Sequence, residues 1–557
     1  MKADKIFKNA KIFTADKDHP QAAALAVKDG KFIYVGDEAG LSAYEGEVTD
    51  LGGKFIMPGI IDSHVHVTMG VGFDYADPGV WITSSGKKEI LDFIADYVRN
   101  NPRSDGYFFG LETKRLNGAK IVKEDLDAIC PDNELLIVEA EGHSIWVNSR
   151  LLQRHGITDD TPDPVPGLSY YVRQDGHVTG NIFEGAAEIP ILLDKGMSLT
   201  DEQVDASLQR WIQFCVENGV SVVFDAGIPG HNAFNERVYG RLREMDRQGK
   251  LPVYVEGCYV ISSAREVEEG LRELKRLRDE FDTEHMKVNT LKIFVDGTLK
   301  LHTGAMVEPY ADVPKTGITA LNKEEFAELL KKLNEEGMDL HLHTVGDAAS
   351  RVVLDGVEMA RKELGDSFRV KVTAAHLWVQ HDDDMDRFVK LGVIANYTPA
   401  WHSGNIGGKP IELWQILLGE KRASNMYRCK TLWDTGALVS WSSDDISYGD
   451  FKTWSPYLGM EVGMTRMTSE KTKAPDHNKT VEPFVPLSEK MSIEEMILGY
   501  TINGAKQLGI ENAKGSIAAG KDADFLVFDQ DLLTAEKEGF SQNRPKDVYF
   551  GGRKVKG

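Results

Sequence analysis

The stretch FIMPGIIDSHVHVTMG, residues 55–70, joins a short apolar run to two histidines one residue apart. The run reads as a buried strand, and side chains alternate faces along a strand, so His64 and His66 point the same way at its end. Seven further runs of the same kind follow: GVSVVFDAG (219–227), PVYVEGCYV (252–260), TLKIFVDG (290–297), DLHLHTVGD (339–347), VKVTAAHLW (370–378), VIANYTP (393–399) and ALVSWSSDD (437–445). Helical periodicity separates several of them, as in AREVEEGLRELKRLRDEF (264–281) and NKEEFAELLKKLNEEG (322–337). Eight such units predict an α/β fold, a (β/α)8 TIM barrel. The gap between the first and second runs is too long for one βα unit, so about residues 72–200 are expected as an insertion over the barrel mouth.

Both chain ends are rich in short β-forming pieces, with Asp29-Gly30 and Gly52-Gly53 as turn signals. Neither end is long enough for a core of its own. Residues 1–57 and 513–557 are therefore expected to pair into one small β-sandwich beside a barrel spanning 58–512.

Composition narrows the function. Hydrophobic residues make up 41% and charged residues 27% of 557, ordinary for a globular protein. With 65 Lys plus Arg against 87 Asp plus Glu, the net charge is −22, and no basic run offsets it, which argues against nucleic-acid binding. No apolar run is long enough to cross a membrane, and MKADKIFKNAKIFTADK lacks the features of a signal peptide. The four scattered cysteines form no CxxC pair, which argues against a disulfide framework or thiolate zinc site and fits a cytoplasmic location. A small-molecule substrate is the expected partner. Barrels of this size are often dimers or larger, but the sequence shows no interface.

Catalytic groups of such barrels sit at the C-terminal ends of the strands. His64 and His66 end the first run, Lys292 lies in the fourth, His343 ends the fifth, His376 the sixth, and Asp444 the eighth. Together they form a nitrogen and oxygen donor set suited to zinc, with manganese, iron or nickel as alternatives. Each residue also has a structural reading. His341 shares a face with His343, and His343 is preferred as a ligand because it is nearer the strand end. His376 could be a core histidine, Asp444 and Asp445 could cap a helix, and Lys292 could snorkel or form a buried ion pair. Trp401, His402 and Trp441 could line the site or pack the core. HExxH and GxSxG are absent, and SSGKKE (84–89) and GNIGGK (404–409) lack the spacing of phosphate-binding loops.

The chain resembles the amidohydrolase superfamily, through MPGIIDSHVH near its start and GSIAAGKDADFLVFD near its end. It is more closely similar to the long-insertion branch that includes N-substituted formamide deformylases (amidohydrolase family 3), through EGHSIWVNSRLL (141–152), GVSVVFDAG, LKIFVDGTLK, EPYADVPKTG (308–317) and HLHTVGDAA (341–349). The resemblance implies that His64, His66, Lys292, His343, His376 and Asp444 hold one or two divalent metals, with Asp444 also the catalytic proton shuttle. It implies a substrate-facing role for His143, beside Trp146 and Asn148. The chain departs from that branch at Ala375, where an acidic residue is usual, and in SWSSDDIS, where Ser-Asp and an apolar-Pro pair are usual. These departures bear on the pocket more than on the ligands.

The expected activity is hydrolysis of a C–N bond in an amide, formamide or cyclic amide by metal-activated hydroxide. Lys292 can bridge two metals only as a carboxylated, anionic side chain. An esterase or deaminase on the same site, or an inert barrel used for binding, are the alternatives.

Overall fold

The computed structural model describes all residues except 75–79, 103–104, 112, 117, 140–141, 193, 195–198, 405–410, 446–454, 473–478 and 481. Eight strands form the barrel in chain order: β1 (Ile60–Val65), β2 (Val220–Asp225), β3 (Tyr254–Ile261), β4 (Met286–Phe294), β5 (Asp339–Thr344), β6 (Val372–His376), β7 (Ile394–Tyr397) and β8 (Val439–Trp441). Each pairs in parallel with the next. The ring closes between β8 and β1. Asp444 N–H donates to His64 O at 2.9 Å, His66 N–H donates to Asp445 O at 3.0 Å, and Ser63 Oγ donates to Trp441 O at 2.9 Å. All eight apolar runs are therefore barrel strands, and the TIM barrel is the architecture.

The helices between them follow from local sequence. In Lys323–Glu336, the Asn322 side chain accepts from Glu325 N–H while Glu325 reaches back to the Asn322 N–H, and Gly337 ends the helix at φ +65°. Phe326, Leu329, Leu330 and Leu333 recur at helical spacing and are the buried face.

Between β1 and β2 the chain builds a separate six-stranded sheet. Its order is Tyr170–Gln174, His177–Phe183, Ser144–Val147, Leu135–Glu139, Gly106–Leu111 and Val80–Trp81. It has a core of its own, including Ile90, Ile94, Phe108, Leu126, Ile137 and Trp146.

The chain ends share one eight-stranded sheet. Strand Lys2–Phe13 runs parallel to Glu45–Pro58, whose other edge pairs antiparallel with Phe525–Phe528. Phe7, Phe32, Ile56, Phe525 and Tyr549 form its buried cluster. Asp29 and Gly30, at φ +49° and +78°, make the expected tight turn between Ala24–Lys28 and Lys31–Gly36. Gly52 and Gly53 do not turn the chain. Both have positive φ, yet they lie inside Glu45–Pro58, where the register with Lys2–Phe13 shifts. They form a bulge, which needs the same left-handed backbone as a turn.

Candidate metal centre

Period-two alternation and parallel register place the site. Lys292 on β4 stands level with His341 on β5, and Phe294 level with His343 one layer higher. Thr344 stands level with His376 on β6. Inward-facing residues of adjacent strands thus stack in layers and rise toward the C-terminal rim.

At that rim His64, His66 and Asp444 bring one donor atom each to within 4.8 Å of one another. The Asp444 carboxylate is 3.2 Å from His64 Nε2 and 3.3 Å from His66 Nε2 through one oxygen, and 3.6 Å from His376 Nδ1 through the other. The far side of each β1 imidazole is occupied: His66 Nδ1 meets Gly227 O at 2.7 Å, and His64 Nδ1 meets His341 Nε2 at 2.9 Å. A partner on Nδ1 turns Nε2 inward as the available ligand atom.

His343 and His376 pack with ring centroids 4.5 Å apart, and His376 lies 4.9 Å from His64. The Lys292 amine is fully buried, 3.5 Å from His64 Nε2 and 5.1 Å from the centre of the Phe294 ring. Burial, then the Lys292 charge, drives His64, His341 and His343 well below the usual histidine range, and burial drives His376 the same way. Neutral imidazoles are what metal binding requires. Burial also pulls Lys292 down to about 8, against the Asp444 charge.

Two of these residues carry unusual backbone. His376 and Asp444 have φ of +77° and +51°, a region that side-chain-bearing residues rarely adopt. Such conformations persist where the surroundings over-determine them, commonly at functional sites.

The other candidates divide. Trp401 stacks on His376, at 5.6 Å between centroids and 17° between planes, and so borders the centre. His143 reaches the same rim from the insertion, 6.3 Å from His343 between ring centroids. Trp146 and Asn148 are not brought to the site. Trp146 belongs to the insertion core. Asn148 is buried with both ends used: its oxygen accepts from Leu135 and Leu151 N–H, and its amide donates to Cys130 O and Asn133 O. It caps the helix Ser149–Arg154. His402 is buried against Tyr427, and Trp441 is fully buried and donates to Glu495 O. Residues 446–447 of SWSSDDIS and 405–409 of GNIGGK lie outside the described residues.

Sequence reasoning passed over several buried acids near the rim. Asp62, pushed up to about 6 by burial, accepts from Ser443 N–H at 2.9 Å and so supports the segment carrying Asp444. Asp296 accepts from Ala305, Val345 and Gly346 N–H, tying the loop after β4 to the end of β5, and burial pushes it up to about 7. Glu184, at the end of the insertion sheet, contacts His143. Only the Asp in FVDGTLK could have been suspected from its motif.

The model of a family described as the Amidohydrolase family matches residues 47–556. The exoenzymes regulatory protein AepA of Pectobacterium carotovorum subsp. carotovorum is 28% identical over 415 residues, covering 72% of this chain and 86% of that one. The N-substituted formamide deformylase of Arthrobacter pascens is 26% identical over 542 residues, covering 94% of this chain and 93% of that one. Among solved structures, an uncharacterized metal-dependent hydrolase from Pyrococcus horikoshii OT3 superposes with a TM-score of 0.67 at 22% identity, covering 96% of this chain and 99% of that one. At that identity the likeness is one of fold.

Proposed function

The chain belongs to the amidohydrolase family, and from that premise we propose that it hydrolyses a C–N bond in a small amide, formamide or cyclic amide. The observation that carries this reading is the convergence of His64, His66 and Asp444 within 4.8 Å at the barrel rim. Two imidazoles and a carboxylate suit a divalent metal, zinc before others. His343 and His376, with Lys292 carboxylated, would hold a second ion. Among the described residues Lys292 has no carboxylate partner, and conversion to a carbamate would replace a buried, unpaired cation with an anion. A metal held here supplies an acidified water and a Lewis acid for the carbonyl oxygen.

The chain's own residues do the rest. Asp444 takes a proton from the attacking water and returns it to the leaving nitrogen, as general base and then acid. Its carboxylate, already between His64, His66 and His376, needs no large movement to do so. Trp401, stacked on His376, and His143 flank the substrate. The formamide deformylase likeness supports C–N hydrolysis as the reaction class. No described helix is long and apolar enough to cross a membrane, and all four cysteines are free thiols, which supports a reducing, cytoplasmic setting.

The test is metal content per chain, by elemental mass spectrometry, on protein purified without chelator, beside hydrolysis of formamides, cyclic amides and esters with and without chelator. Roughly two ions per chain, as in two-metal hydrolases, are expected, with fewer in Lys292→Ala. Asp444→Asn is expected to lose about 10²- to 10⁴-fold in kcat. A metal-free wild type, or chelator-insensitive turnover, would sink the reading.

A further inference from the structure

A cavity of about 260 Å³ opens where the insertion meets the loop after β4, lined by Glu139, His143 and Phe183 on one side and Thr298, Lys300 and Leu301 on the other. None of the six candidate metal residues lines it. A group bound there sits beside the reacting centre and away from the scissile bond.

Glu184 is built into the seam between these two walls. Its Oε2 is 2.9 Å from His143 Nδ1. Its Oε1 accepts from Thr298 N–H at 3.0 Å, Thr298 Oγ1 at 3.2 Å and Thr303 Oγ1 at 2.5 Å. Its backbone is held too: Glu184 N–H donates to His143 O at 3.0 Å, and its carbonyl accepts from Ser169 Oγ at 3.0 Å. Glu184 itself has φ +66°, a strained conformation kept by these six contacts. Gly297 leaves room for the carboxylate, since a Cβ there would lie 2.4 Å from Oε1, and Gly297 O stands 3.4 Å from His343 Nε2. One carboxylate therefore joins the insertion, the loop after β4 and the edge of the metal centre.

We propose that Glu184 is a positioning residue for substrate recognition: it clamps the insertion to the barrel and holds His143 as the hydrogen-bonding wall of the cavity, which receives a polar part of the substrate. The identity of that ligand as a substrate rests on the hydrolase reading above. With Nδ1 committed to Glu184, Nε2 is the nitrogen the ring can offer to the cavity. From there Nε2 is placed to hydrogen-bond a polar group of the substrate. His143 remains partly open, at 31% side-chain exposure, while Glu184 is closed off at 6%. That is the arrangement of a contact residue and its support.

The test uses full-length, metal-loaded protein and the variants Glu184→Gln, His143→Gln and their double. Gln keeps an acceptor for the three donors on the Oε1 side and puts an NH2 donor, in place of the charged acceptor, against His143 Nδ1. With an N-alkylformamide as probe, each single variant is expected to raise KM by about 10- to 100-fold, the size of one lost charged hydrogen bond, with little change in kcat. The double variant should be no worse than the worse single, because both act through one contact. Thr303→Val, which removes one of the three donors to Glu184 Oε1 and leaves His143 untouched, should give a smaller loss in the same direction. Losses that multiply in the double variant, or that fall on kcat with loss of metal, would overturn the proposal.

A second readout needs no substrate. Hydrogen–deuterium exchange of the metal-loaded protein, read by peptide mass spectrometry, should be at least about tenfold faster across residues 298–303 in Glu184→Ala than in the wild type, because that loop loses the acceptor holding it to the insertion. Equal rates would overturn it. A wild type that leaves every formamide intact would sink the amide-hydrolase reading instead, and the exchange rates would still decide what Glu184 does.

Discussion

At the scale of single residues, the histidine pair on β5 separates two roles that one spacing cannot. His341 and His343 share a face, but the lower ring bonds His64 and stacks on Phe224 at 4.5 Å, while the upper ring lies against His376. If His341 fixes the orientation of His64, His341→Phe should keep the packing and lose the hydrogen bond. Metal affinity is then expected to fall by about 10- to 100-fold, read by competition with a chromogenic chelator, with the melting temperature of the metal-free protein little changed. Unchanged affinity would reduce His341 to filler. The HxH at 64–66 was legible because strand periodicity alone puts two imidazoles on one side. Trp146 and Asn148 were candidates only through the resemblance, as neighbours of His143 in EGHSIWVNSRLL. They follow His143 on the strand Ser144–Val147 and its helix cap, but the strand sends Trp146 into the insertion core and the cap consumes Asn148. Glu184 left no local signal, since its partners are 41, 114 and 119 residues away.

At the scale of elements, the eight strands were legible because a buried parallel strand needs a continuous apolar run and its following helix a period near 3.6. What sequence could not separate was a glycine pair that turns a chain from one that bulges a strand, since the distinction at Gly52-Gly53 lies in pairing with Lys2–Phe13. The join between the helix Asn232–Arg247 and β4 shows an element pinned by one side chain. Asp246 accepts from His285 N–H at 2.9 Å and faces His285 Nδ1 at 2.8 Å. Burial raises the Asp246 carboxyl, but hydrogen bonds, among them those from His285, outweigh it and hold it below the usual carboxylate range. A depressed folded-state pKa contributes stability that is complete above the unfolded value near 3.9 and is lost as pH falls through the folded one. Asp246→Asn is therefore expected to cost about 1–3 kcal/mol at pH 7 by chemical denaturation, and the gap from wild type should close only below about pH 4. A gap independent of pH would show that shape, not charge, holds this join.

At the scale of the whole molecule, the sheet built from both chain ends is coupled to the metal centre through a single residue. Strand Glu45–Pro58 is separated from β1 only by Gly59, whose N–H donates to Asp524 O at 3.0 Å, and β1 delivers His64 and His66. The pairing of chain ends could be inferred from sequence because each was too small for a core, whereas this coupling could not, since it depends on Gly59 lying within 2.4 Å of Ser221 Oγ if given a Cβ. Cutting the chain after residue 512 would remove Phe525, Leu526, Val527, Phe528 and Tyr549, all buried. At about 1.5–3 kcal/mol each, five such side chains match the entire net stability of a typical domain, about 5–15 kcal/mol. The cut would also leave one edge of Glu45–Pro58 unpaired and open to water its buried side chains, Ile56 on one face and Phe55 and Met57 on the other. The truncated protein is therefore expected to collect in the insoluble fraction, and any soluble part to hold well under half the wild-type metal per chain. If it were instead soluble, with wild-type melting temperature and metal content, the terminal sheet would be an appendage and β1 would be positioned by the barrel alone.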